Sequence, residues 1–181
     1  MTADRAQITD RAQMLMQQME AEDVCGQLAF DCLRSSHLCE QALAYEVFTS
    51  RFRPHVMPYV PTGTDVPMLL LEYMLRCVVE DVSDEGCDGL IHTKGEAFLE
   101  LRVPLAEYWE KYGCVLDEDR YFERLAEFLK STDYHGELAT HTLEAFSPRE
   151  RPFLNAMKAW KRDPVLSRYV AELEEIFGGA F

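Results

Sequence analysis

Basic residues are scarce in this 181-residue chain: 18 Lys and Arg stand against 32 Asp and Glu, a formal charge of −14. Such a shortage argues against a nucleic-acid binder, whose phosphate contacts need a surplus of Lys and Arg. It argues equally against docking on an anionic membrane surface. A long hydrophobic run is missing too. The most apolar stretch, 68–79, is interrupted by Glu72 and Arg76 and is too short to span a bilayer. The opening MTADRAQITDRAQ is polar and of mixed charge, unlike a secretory signal or an Arg-rich, acid-poor transit peptide. These absences predict a cytoplasmic protein that works on another protein or on a small molecule.

The six cysteines, at 25, 32, 39, 77, 87 and 114, include no C-x-x-C pair. That removes the usual mark of a structural zinc site, and disulfide scaffolds are shorter and denser in Cys. Cys25, Cys32 and Cys39 are spaced by seven and would share one face of a continuous helix. The expectation is small, buried, reduced side chains. Adding Met14, Met16 and Met19 would give soft ligands for Cu(I), but core packing accounts better for the pattern. Catalytic signatures are missing as well. There is no G-x-S-x-G elbow, no P-loop and no G-x-G-x-x-G. The chain therefore reads as non-enzymatic.

What is present is helical periodicity. Ala12, Leu15, Met16 and Met19 recur at spacings of three and four, followed by Val24, Cys25, Leu28, Ala29, Cys32 and Leu33. Ser35–Ser36 reads as the first break, with Ser36 capping a helix through Phe48. Four prolines between Pro54 and Pro67 predict a long ordered loop. Residues 68–79 then form the central helix, apolar around nearly its whole circumference. Asp117 caps a helix with Tyr121, Phe122, Leu125, Phe128 and Leu129 on its apolar face. Another helix is expected near 137–146, and Ser147-Pro148-Arg149-Glu150 starts the next. Asp163-Pro164 opens the last, burying Val165, Leu166, Tyr169, Val170, Leu173, Ile176 and Phe177 until Gly178 stops it. The fold expected over 1–181 is a single-domain, all-α helical bundle of about seven or eight helices. A small β-hairpin near 90–103 competes there with helix.

Charge is uneven. Residues 61–120 carry fourteen acids and five bases, a net of −9. The tightest run is Glu80, Asp81, Asp84, Glu85 and Asp88. It fails the EF-hand pattern, since His92 falls where a bidentate Glu is required. It reads as a solvated loop or as a docking surface for a basic protein. Tyr59, in the Pro-rich loop, is a secondary docking candidate. A cluster of Arg149, Arg151, Lys158, Lys161 and Arg162 near Phe153 and Trp160 polarises the molecule and makes self-association conceivable.

A metal centre is the alternative. Glu137, His141 and Glu144 share one helix face, and Glu72 sits on the central helix. A di-iron or di-manganese bundle uses Glu-x-x-His on two helices, whereas His37-x-x-Glu40 has the order reversed. Pairing with Arg76 one turn later explains Glu72 equally well. Haem is a further possibility, with no histidine singled out. In size, acidity and helical content the chain is loosely similar to the bundle chaperones that escort redox enzymes, although their frequent Pro-Asp-His signature is absent. The leading expectation is a chaperone-like, adaptor or inhibitory protein with a basic protein partner and no cofactor. The alternative is a metal- or haem-dependent bundle enzyme or small-molecule binder.

Overall fold

The computed structural model describes residues 8–80, 117–131 and 151–179. Among these the chain forms eight α-helices, one 3-10 turn and no strand, so the described fold is all-α. The helices are α1 (Asp10–Glu20), α2 (Gly26–Leu33), α3 (Leu38–Thr49), α4 (Arg53–Val56), α5 (Val66–Glu80), α6 (Glu118–Ser131), α7 (Arg151–Trp160) and α8 (Ser167–Phe177). The 3-10 turn, Met57–Tyr59, follows α4 directly. The expected hairpin at 90–103, the helix at 137–146 and the start signal at 147–150 lie outside the described residues.

Local chemistry sets the helix ends. Thr9 caps α1, its hydroxyl accepting the Ala12 N–H at 3.1 Å. The first break comes earlier than Ser35, at the α1–α2 junction. There Glu22 takes a left-handed conformation, φ 56°. The Glu22 N–H donates to Met19 O at 3.1 Å and the Asp23 N–H to Gln18 O at 2.9 Å. This is a Schellman ending with Glu where Gly is usual, so composition gave no warning of it. Cys25, Cys32 and Cys39 consequently do not share one helix. Cys25 precedes α2, Cys32 lies within it and Cys39 belongs to α3.

The N-cap of α3 is His37, one residue beyond the expected Ser36. The Pro-rich stretch is more helical than its prolines suggest. Pro54 falls in the first turn of α4 and Pro58 in that of the 3-10 turn, positions whose N–H needs no intrahelical acceptor. Asp65 starts α5 by accepting the Met68 N–H at 3.0 Å, and Asp117 starts α6 through the Arg120 N–H at 3.1 Å.

The first core is built by α1, α2 and α3, with α5 packed on α3. Tyr45 of α3 and Tyr73 of α5 meet with ring centroids 5.1 Å apart, both fully buried. Helix α5 buries Val66, Met68, Leu70, Leu71, Tyr73, Met74 and Leu75, as a helix inside a bundle should. A second layer joins α6 to α7 and α7 to α8. Here Phe122 makes edge contacts with Phe153 at 6.2 Å and Trp160 at 6.4 Å. All five expected apolar residues of α6 are buried. On α8 the expectation holds only partly. Tyr169, Val170 and Leu173 are buried, but Val165, Ile176 and Phe177 are exposed. Gly178, φ 67°, ends α8 as expected.

Candidate functional site

The docking residues expected from sequence fall in two places. Glu80 is the last residue of α5, with its side chain outside the described residues. Asp81, Asp84, Glu85 and Asp88 also lie outside them. Tyr59 is described, at the C-terminal end of the 3-10 turn, and 56% of it is exposed. An exposed aromatic ring is normally loose, but this one is held. It lies on Gly26, the first residue of α2, so closely that a Cβ there would stand 2.2 Å from Tyr59 Cδ2 and 2.7 Å from Cγ. Glycine is required here for close approach, not for backbone conformation.

Gly26→Ala should therefore push the ring off α2, because Cγ sits too near the backbone to swing away cheaply. A loss of about 1–3 kcal/mol is expected, typical of overpacking. Thermal unfolding of Gly26→Ala, Tyr59→Ala and the double variant checks this. The double variant should recover most of the Gly26→Ala loss, because the clash no longer has a second party.

The α1–α2 junction beside Gly26 is mainly acidic, although Arg51 reaches it to pair with Glu22. Leading into Gly26, the α1–α2 junction carries exposed Glu20, Glu22 and Asp23, and the outer face of α2 carries Asp31. The bases of residues 8–80 are five arginines, and each is engaged within the chain. Arg11 reaches Glu40, Arg34 lies over Phe30, and Arg51 bridges Glu22 at 2.7 Å. Arg53 is buried. Arg76 donates to Ser36 O at 2.6 Å and to Gln41 Oε1 at 2.8 Å. No ion pair among the described residues reaches Asp10, Glu20, Asp23 or Glu46. Of these five only Arg53 is buried, and Arg51 is 69% exposed, so the arginines are engaged by pairing rather than by burial.

Of the alternative metal set, only Glu72 is described. It pairs with Arg124 of α6 rather than with Arg76, Oε1 accepting Nε at 2.6 Å and Oε2 accepting Nη2 at 3.1 Å. This two-bonded fork ties α5 to α6 and occupies both carboxylate oxygens. Glu137, His141 and Glu144 lie outside the described residues. Among those described, no group of three His, Cys, Asp or Glu side chains stands close enough to hold a metal. No described helix is long and apolar enough to cross a membrane.

Two features escaped sequence reading. One is an open groove of about 390 Å³ between α6 and α7. Its apolar lining includes Phe122, Ala126, Ala156 and Trp160, and the Lys130–Asp163 ion pair crosses its edge. That lysine, with the Val165 and Leu166 N–H groups, holds the Asp163 carboxyl below its ordinary range. The basic cluster is likewise partly neutralised, Lys161 pairing with Glu174.

The other is Glu40, in the first turn of α3 with 1% of its side chain exposed. Its carboxylate accepts the Thr9 hydroxyl at 2.5 Å and faces Arg11 Nε at 3.6 Å. Thr9 thus caps α1 with its oxygen and binds α3 with its proton. The reversed His37-x-x-Glu40 spacing was the only trace of this in the sequence.

Comparison with protein families, with curated proteins and with solved structures finds no match to this chain.

Proposed function

We propose that this chain is a non-enzymatic helical protein that binds another protein, acting as a chaperone, adaptor or inhibitor of a partner with a basic surface. One observation carries the reading: a ring at Tyr59 held outward on Gly26, beside exposed acids whose neighbouring arginines are all engaged within the fold. Aromatic residues fixed at a surface make good binding anchors because little side-chain entropy remains to be lost. Carboxylates around such an anchor steer a cationic partner and reject anionic ones. The acidic run Glu80, Asp81, Asp84, Glu85 and Asp88 extends the same charge along the sequence.

The test is salt-dependent binding. Complex formation with a captured partner should weaken as ionic strength rises, since exposed charges are screened beyond about 10 Å at 0.1 M salt. Asp84→Lys with Glu85→Lys should weaken it about tenfold or more through the association rate, and Tyr59→Ala by a similar factor through the dissociation rate. A partner indifferent to salt and to both sets of changes would overturn the proposal.

A further inference from the structure

The groove between α6 and α7 has walls of opposite charge. Asp119, Glu123, Ala126 and Lys130 line it from α6, within an arc of about 60° on one face of that helix. Lys130 is taken up by Asp163. Asp119 and Glu123 are exposed, and no ion pair among the described residues reaches either. Arg120 is not part of the lining and directs its charge at Asp65. The α6 wall is therefore acidic.

Helix α7 lines the other side with Asn155, Ala156 and Ala159. Arg151 and Lys158 fall within an arc of about 60° that includes Asn155, so both bases border the groove. Arg162 follows just past the end of the helix. All three bases are exposed, and no ion pair among the described residues reaches them. Between the two ridges Ala126, Ala156 and Ala159 carry only a methyl group each, which lets another helix approach closely.

We propose that this face docks a second copy of the chain, as a twofold dimer whose symmetry axis runs along the groove. Such an axis lays the α7 ridge of each copy over the α6 wall of the other. Asp119 and Glu123 then meet Arg151 and Lys158 twice, once on each side. An axis across the groove would set acid against acid. The same charges select against simpler occupants. A purely basic segment is opposed by Arg151, Lys158 and Arg162, and a purely acidic one by Asp119 and Glu123. Two chains of −14 repel at long range, so the dimer is transient rather than obligate.

Sedimentation velocity of the full chain tests this by charge exchange. Between about 1 and 100 μM the protein should shift reversibly from monomer to dimer. Glu123→Lys and Lys158→Glu should each weaken the dimer about tenfold or more, because every change acts twice across a twofold contact. Mixing the two variants should restore dimers, since each reversed charge then faces its opposite in the other copy. Ala159→Trp, at an exposed position, should fill the groove and leave a monomer with unchanged thermal unfolding. Salt does not read this contact, because it screens the repulsion between acidic chains as well as the attraction across the groove. A chain that stays monomeric throughout would overturn the proposal and leave the groove to another occupant. So would a dimer indifferent to both charge reversals, a mixture that fails to associate, or oligomers that grow past two.

Discussion

Phe153→Ala should lower the thermal midpoint by roughly ten degrees. Its ring is fully buried and meets Phe122 edge-on at 6.2 Å and Phe177 at 6.5 Å. Deleting a buried Phe side chain costs about 3–5 kcal/mol, through lost transfer energy and the cavity left behind. For a chain of this size each kcal/mol moves the midpoint by about 2–4 °C. Phe153→Leu keeps most of the volume and should lose less than half as much. The contrast between the two variants matters more than either value. Equal losses would mean that retained volume does not help at this position, against the cavity account. The change should also remove the edge contact that Phe177 makes with Phe153.

Glu40→Gln is expected to cost about 2 kcal/mol at neutral pH and to flatten the acid side of the stability profile. A hydrogen bond to a charged group contributes about 1.5–3 kcal/mol, and the buried Glu40 carboxylate accepts one from Thr9. Arg11 is half exposed, so its attraction is screened and adds little. Burial alone would push the Glu40 carboxyl up. The hydroxyls of Ser35 and Thr9, with the charges of Arg11 and His37, outweigh burial and hold it below its ordinary value of 4.5.

A lowered acid pKa fixes the sign of the effect. The contribution is fully present above 4.5 and disappears as pH falls through the lower value of the folded state. Urea unfolding of both proteins from pH 7 down to pH 3 should show curves separated at neutral pH that converge in acid. A constant separation would mean that Glu40 carries no special charge in the fold. Asp65 acts oppositely. Burial raises its carboxyl despite the Met68 and Asp117 N–H groups, so its share of stability falls as pH rises above 3.8.

Much of the helical architecture was legible because local rules suffice for it. The apolar stripe of α6, the Asp117 cap, the all-round apolarity of α5 and the Gly178 stop all follow from spacing, capping and backbone freedom. Local rules failed where a residue behaved against its type. Glu22 occupies a position that usually belongs to Gly, hiding the break between α1 and α2. Pro54 and Pro58 sit in first turns, where proline does not obstruct a helix. Ile176 and Phe177 continue the period of α8 yet remain exposed.

Residue spacing had offered Arg76 as the partner of Glu72, because i, i+4 neighbours are all a sequence displays. The fold brought Arg124 from 52 residues away and sent Arg76 to α3. Composition determined the acidity of this protein, its helical class and its lack of a long apolar span. Tertiary packing decided which charges remain on the surface. It paired Arg51 with Glu22 and Arg124 with Glu72, buried Glu40 against Thr9, and laid Tyr59 on Gly26 with its ring outward. Those outcomes depend on contacts between residues far apart in the chain, and neither composition nor periodicity records them.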